Sequence, residues 1–119
     1  MSAIRDNRAW LQDMLTSIEH IETYTDGLNF ERFAATSQIQ HAVLFNFQII
    51  GEAANKLDAS FRSANPAVPW SLMIGMRNVI VHGYFIINLQ IIWKTITEEL
   101  PRLKALLKVL LAELEEQSS

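Results

Sequence analysis

Apolar side chains recur along most of this chain at alternating spacings of three and four residues, the period of one face of an α-helix. The first periodic segment predicts a helix over residues 4–27, which Gly27 would end. The second predicts a helix over residues 37–61. Their apolar faces consist of Leu11, Met14, Ile18, Ile21, Thr25 and Leu28 in the first helix, and Val43, Phe47, Ile50, Ala54 and Leu57 in the second.

The segments before and after the second predicted helix lack periodicity. Residues 28–36 are interpreted as a connection that carries Phe30 and Phe33 into the core. Residues 62–69 contain two prolines, which remove backbone donors, and therefore predict the main loop. Pro69 suits a helix start, so a short third helix is expected over residues 70–81, with Gly83 able to end it.

The last segment has the strongest period and predicts a long fourth helix with Asn88 as its N-cap. Its apolar stripe comprises Leu89, Trp93, Ile96, Leu100, Leu103, Leu107, Leu110 and Leu114. Pro101 lies inside the stripe and predicts a kink, and the polar residues 113–119 are expected to fray. The chain is therefore predicted to be all-α: a single domain over residues 1–119, an up-and-down four-helix bundle with a kinked long C-terminal helix.

Composition narrows the functional classes. Half of the 119 residues are apolar, more than one small bundle easily hides, which favours a homo-oligomer. Cysteine is absent, and no run resembles a signal peptide or a membrane span, so a soluble cytoplasmic protein without membrane contact is expected. The net charge of −3 argues against a general phosphate-binding surface, so any RNA contacts must be few and local.

Three polar residues, Arg77, Asn78 and His82, interrupt the apolar third helix. Burying them is costly unless each is hydrogen-bonded or lies in a cleft. Asn78 and His82 are i, i+4 neighbours, so the amide can orient the imidazole. Arg77 and His82 diverge by roughly 140° on a regular helix, and they converge only through the reach of the arginine, helix termination or dimerisation.

Arginine, histidine and a tyrosine hydroxyl suit phosphate chemistry. The guanidinium can hold a phosphodiester, and the imidazole can donate or accept a proton near neutral pH. Cleavage of RNA by its own 2′-hydroxyl needs a base and an acid on opposite sides of the phosphorus, and one chain supplies a single such histidine. A two-fold dimer would bring a second His82.

Structural alternatives remain for these residues. Arg77 could pair with Glu52 while His82 merely caps the helix, and Glu52 itself could face the Arg77 cleft or be a solvated helix residue. His20 and His41 lack partners at metal-ligand spacing and are interpreted as surface residues, so no metal site is predicted. The three tryptophans are interpreted as core rather than base-stacking residues.

The segment Arg77-Asn78-Val79-Ile80-Val81-His82-Gly83-Tyr84 resembles the hallmark of the HepT-like proteins of the HEPN superfamily, toxins of bacterial and archaeal toxin–antitoxin pairs. Further shared features are Ile50-Gly51-Glu52-Ala53-Ala54, Pro69-Trp70, Gly75-Met76 and Trp93, so the resemblance spans residues 33–103. It implies a HEPN-like bundle and a metal-independent endoribonuclease that acts as a homodimer. Arg77 and His82 would be catalytic, with Asn78 and Glu52 supporting them.

The resemblance also implies a partner, a minimal nucleotidyltransferase antitoxin of a type VII-like pair. That enzyme would neutralise the toxin by transferring AMP from ATP onto Tyr84, so ATP is used by the partner and the chain itself needs no cofactor. Phosphate beside Arg77 would occupy the position of the substrate and repel RNA.

Two rival interpretations stay open. In one, the helical dimer is a non-catalytic module that binds a nucleotidyltransferase, and the motif binds nucleotide or RNA without cutting it. In the other, the chain is a purely structural dimerisation subunit in which Arg77 and His82 make interface hydrogen bonds.

Overall fold

The computed structural model describes residues 6–83 and 86–117, and seven α-helices carry this part of the chain. Four are the main helices: α1 (Asn7–Thr25), α3 (Ser37–Lys56), α5 (Trp70–Gly83) and α7 (Leu100–Gln117). Three are short: α2 (Phe30–Ala35), α4 (Ala59–Ala64) and α6 (Leu89–Lys94), the last joined to α7 by a π-helical turn, Thr95–Glu99. All regular secondary structure in the described ranges is helical, which confirms the all-α prediction.

Helix α1 runs antiparallel to both α3 and α7. The side chain of Asn7, at the start of α1, contacts Asp58 just beyond α3, and His20 further along α1 contacts Asn46 near the middle of α3. Lys104 Nζ on α7 lies 2.8 Å from Glu22 Oε1 late in α1. With α6, the π-helical turn and α7 forming the fourth helix, the molecule is the predicted up-and-down bundle.

The core consists of the apolar faces that the periodicity predicts. Fully or nearly fully buried positions include Leu11, Met14, Ile18 and Ile21 of α1, Val43, Phe47, Ile50 and Ala54 of α3, and Leu100, Leu103 and Leu107 of α7. Burying a large aliphatic or aromatic side chain contributes about 1.5–3 kcal/mol, so these stripes hold the bundle together. The three tryptophans pack in or against this core, as expected.

The segment between α1 and α3 is more ordered than predicted. Gly27 adopts a φ of 75°, a left-handed conformation that ends α1, as expected. Residues 28–36 are not a simple connection, because they contain α2, whose N-cap Asn29 accepts from the backbone N–H of Arg32. As predicted, Phe33 is buried, and its ring lies 5.2 Å from that of Trp93.

The second predicted helix was too long. Helix α3 ends at Lys56 because Leu57 takes an extended conformation that turns its side chain into the core. Asp58 N–H then donates to Asn7 Oδ1. The chain re-enters a helix as α4, which shortens the predicted loop at its start.

The third and fourth helices also differ in detail. Helix α5 begins at Trp70 as predicted but continues through Gly83, and Asn88 caps α6 by accepting from Gln90 and Ile91. The irregularity expected at Pro101 lies one turn earlier, in the π-helical turn, where Leu100 N–H donates to the Thr95 carbonyl.

Proline at position 101 cannot donate to the carbonyl of Thr97 and would clash with it in a regular helix, and the wider π-helical turn accommodates this. The polar tail stays helical to Gln117, since Leu114 packs against the core. The predicted helix at residues 4–5 lies outside the described residues. No helix in the described part of the chain is long and apolar enough to cross a membrane.

Candidate active site

Gly51 sets the distance between α3 and α5. A Cβ atom at this position would overlap the Cβ of Arg77 and would lie 2.5 Å from the carbonyl oxygen of Met73. Only glycine therefore allows the two helices to approach this closely. The contact places the first residue of the motif directly against α3, beside Glu52.

Arg77 is held by two side chains. Its Nη2 lies 3.3 Å from Glu52 Oε1 on α3, and its Nη1 donates to Asn78 Oδ1 at 3.1 Å. The side chain is 29% exposed, and its Nε is buried without a hydrogen-bond partner among the described residues. Of the two interpretations of Glu52, the structure selects the one in which it faces Arg77. The guanidinium is thus fixed in orientation and still reachable from solvent.

His82 stands apart from this cluster. It lies in the last turn of α5, is exposed, and makes no side-chain hydrogen bond within the described part of the chain. The expected contact between Asn78 and His82 is absent among the described hydrogen bonds, and the amide oxygen of Asn78 accepts from Arg77 instead. Helix α5 also stays regular through Gly83, so helix termination does not bring Arg77 and His82 together.

Tyr84 lies outside the described residues, as does Phe85. The expectation that its hydroxyl shares a cleft with Arg77 therefore stays a prediction. In the described part of the chain, the structure brings together Glu52, Arg77 and Asn78 and leaves His82 apart.

An apolar groove runs between α5 and α6, which the sequence analysis did not predict. Its cavity volume is about 530 Å³. Four of its lining side chains, Leu72, Val79, Ile86 and Ile91, are between 39% and 68% exposed. These residues could have been recognised in the sequence, because three of them add apolar positions to α5 and α6 outside the buried face, and Ile86 is an apolar residue between the two helices. Exposed apolar patches of this kind mark contacts with other molecules.

The remaining histidines are surface residues, as predicted. His20 and His41 are exposed, and His20 Nδ1 lies 3.3 Å from Asn46 Oδ1. Within residues 6–83 and 86–117 there is no group of three or more histidine, aspartate and glutamate side chains placed to hold a metal ion.

Comparison with known proteins gives a consistent family. The family model described as "Ribonuclease HepT-like" matches residues 14–110. The chain is similar to "Putative RNase MJ1380" of Methanocaldococcus jannaschii, 36% identical over 100 residues that cover 84% of this chain and 92% of that protein. It is also similar to "Probable ribonuclease HepT" of Thermococcus cleftensis, 36% identical over 100 residues, 84% of this chain and 91% of that protein. No solved structure matches the chain significantly.

Proposed function

Since the chain belongs to the HepT-like ribonuclease family, we propose that it is an endoribonuclease that cuts RNA with Arg77 and His82. The observation that carries this proposal is the guanidinium of Arg77, fixed by Glu52 and Asn78 yet open to solvent. A guanidinium held in this way can bind a phosphodiester in one orientation. The imidazole of His82 is exposed and makes no side-chain hydrogen bond among the described residues, so it is free to take part in proton transfer.

The reaction would use the 2′-hydroxyl of the substrate as nucleophile. A base removes its proton, O2′ attacks the phosphorus, and the bond from phosphorus to O5′ breaks as an acid protonates O5′. The products are a 2′,3′-cyclic phosphate and a 5′-hydroxyl. Arg77 would neutralise the charge that develops on the non-bridging oxygens, and His82 would transfer a proton. These steps call for no metal ion.

A homodimer would complete the site. Arg77 and His82 lie roughly 140° apart around α5, so a phosphate on Arg77 is not within easy reach of His82 in the same chain. A second copy packed on the groove between α5 and α6 would bury its exposed apolar side chains. His82 follows groove residues Gly75 and Val79 by seven and three positions, so it lies at the rim of this contact.

Regulation by a partner is proposed from the resemblance of the motif. A minimal nucleotidyltransferase would transfer AMP from ATP: the phenolic oxygen of Tyr84 attacks the α-phosphorus, pyrophosphate leaves, and the phenol loses its proton. Tyr84 follows His82 by two residues. The added phosphate would then compete with RNA for Arg77.

The alternative function is a binding module that does not cut RNA. One observation favours it: both terminal nitrogens of Arg77 already have partners, Glu52 and Asn78. A substrate phosphate would then have to share the guanidinium of Arg77 with these two side chains or displace one of their hydrogen bonds.

Growth on induced expression tests the proposal. Wild type is compared with His82→Ala and Tyr84→Phe at matched soluble protein levels in a host without the partner, and RNA ends are mapped. The comparison is then repeated with the partner co-expressed. We expect arrest and new RNA ends with wild type, relief by His82→Ala, and arrest with Tyr84→Phe that the partner no longer relieves. Intact RNA and normal growth with wild type would instead support the binding module.

A further inference from the structure

A cavity that contains Arg62 lies between α4 and the first half of α5, outside the motif. Its volume is about 270 Å³, and it is lined by residues of α4 and the first half of α5: Ala59, Arg62, Ser63, Trp70, Ser71 and Ile74. The cavity therefore combines one guanidinium with two hydroxyl groups, the donors that recur around bound phosphate.

Within the described residues, Arg62 lacks the carboxylate partner that the other half-buried arginines have. Among the arginines in the described ranges, Arg8 and Arg77 are half-buried and paired with carboxylates, whereas Arg62 is half-buried and unpaired. The carboxylate one turn before it, Asp58, accepts from Asn7 instead. The terminal nitrogens of Arg62 are thus available donors.

The packing of Arg62 also holds it in place. Its Nε is buried and makes no hydrogen bond within the described part of the chain. Trp70, which lines the same cavity, is 7% exposed and is itself fixed by a 3.0 Å bond from Nε1 to the Asn65 carbonyl. A charged group that is pre-positioned and lacks a counter-charge is suited to an anionic ligand.

One face of α5 runs from the cavity toward the Arg77 site. Ser71, Ile74 and Asn78 follow one another at spacings of three and four residues, so they share a face. Asn78 bonds to Arg77 at the far end of this ridge, about 10.5 Å along the helix axis from Ser71 at 1.5 Å per residue. A single nucleic-acid strand can bridge this distance between phosphates.

From this arrangement we infer that Arg62, with Ser63 and Ser71, is a second phosphate-binding subsite, which holds another phosphodiester of the RNA strand that is bound at Arg77. The inference rests on the proposed ribonuclease function and specifies its substrate: a single strand that extends from Arg77 toward α4, rather than an isolated phosphodiester. It also explains how a chain of net charge −3 binds RNA through few, local contacts.

The test compares two substrates: an RNA of about eight nucleotides that carries the cleavage site mapped in cells, and the dinucleotide at its centre. We expect Arg62→Gln to lower kcat/KM on the longer RNA by about tenfold and to change cleavage of the dinucleotide less than twofold. Arg32→Gln is the control, because Arg32 is an exposed, unpaired arginine on α2, before the opposite end of α3.

A second variant separates the subsite from folding. Ser71→Asp places a carboxylate in the first turn of α5, where it is favourable for the helix, while it repels phosphate in the cavity. We expect the same substrate-dependent loss as for Arg62→Gln, with an unfolding free energy at least that of wild type. Ser71→Asn is the uncharged control, and because Ser71 also lines the groove between α5 and α6, sedimentation of both variants must show unchanged self-association.

Binding to the longer RNA with a 2′-deoxy group at the cleavage position gives an independent readout. The logarithm of the association constant decreases with the logarithm of the salt concentration. The magnitude of this slope should be smaller by about 0.7 in Arg62→Gln, the value for one phosphate of a single strand. If wild type cuts both RNAs and both variants behave like their controls, the subsite is wrong and the ribonuclease proposal stands. If wild type neither cuts nor binds RNA, both proposals are wrong.

Discussion

The two sides of α5 meet different surroundings. Toward α3, Gly51 lets the helices approach so closely that no added Cβ fits, and Glu52 pairs with Arg77 at the rim. Toward α6, the groove is open and apolar, with Val79 45% and Ile91 59% exposed. On the side of α3, packing within a single chain covers the helix. On the side of α6, the described part of the chain leaves apolar surface uncovered.

The motif is divided between these two sides. Arg77 lies on the side of α5 that faces α3, the closed side, where packing within the chain fixes its guanidinium. His82 lies at the rim of the open side, where nothing in the described part of the chain orients it. A single chain therefore builds half of the proposed site, and the other half depends on what covers the groove.

The largest expected effect comes from closing the space at Gly51. Gly51→Ala should lower the free energy of unfolding by about 3 kcal/mol, because the new methyl group collides with Arg77 and with backbone at Met73. It should also abolish RNA cleavage, since α5 must move away from Glu52. Urea denaturation and a cleavage assay on the folded fraction measure both effects.

Gly75→Ala is the control for that substitution. Gly75 is a helical glycine like Gly51, in α5 rather than α3, but a Cβ atom there meets nothing within 4 Å. Its unfolding free energy should stay within about 1 kcal/mol of wild type, on the stabilising side, because alanine favours helix. Equal destabilisation by both alanines would show that the close contact at Gly51 does not control the packing of α3 and α5.

The open side is tested by adding a charge to the groove. Ile91→Asp should weaken self-association by about a hundredfold, or about 2.7 kcal/mol, because an aspartate would be buried between the two copies. Val109→Asp is the control, since Val109 is 58% exposed on α7 and Ile91 is 59% exposed. Sedimentation across a concentration series measures the effect. Equal behaviour of the two variants would place the dimer contact elsewhere.

A smaller effect is expected at the rim of the closed side. Glu52→Gln keeps an acceptor but removes the charge that orients Arg77, so kcat/KM should fall about tenfold. Stability should change by less than about 1 kcal/mol, because the pair is partly exposed. Glu98→Gln, an exposed carboxylate on the π-helical turn, is the control. Unchanged kcat/KM in Glu52→Gln would mean that Asn78 alone is sufficient to hold the guanidinium.

The smallest effect is expected at the pair of Lys104 and Glu22, which belongs to neither side of α5. The hydrogen bond from Lys104 to Glu22 raises the pKa of Lys104 above its usual 10.5. A raised pKa in the folded state means that this stabilisation is fully present below pH 10.5 and is lost as the pH rises through the folded value. Wild type should therefore be more stable than Lys104→Met at pH 9 and should approach it at higher pH, with cleavage at neutral pH unchanged. A stability difference independent of pH would contradict this.

Several features could be predicted from the sequence because they depend on local pattern. The helical faces around Ile18, Phe47 and Leu107 follow from spacing alone, and each of these residues is buried. The stop at Gly27 and the cap at Asn88 follow from residue chemistry. The errors concern places where tertiary packing outweighs local pattern, such as Leu57, whose burial ends α3 five residues before the predicted helix end.

The sequence by itself determined the all-helical bundle, the family and the residues of the motif, because periodicity and motif spacing are properties of the linear chain. Only the tertiary structure decided which side chains meet: Asn78 bonds to Arg77 rather than to His82, Glu52 faces Arg77, and Arg62 lies beside α5 without a partner among the described residues. These contacts depend on the distance and rotation between α3, α4 and α5. That geometry is set by close packing at residues distant in sequence, Gly51 above all, which no local pattern encodes.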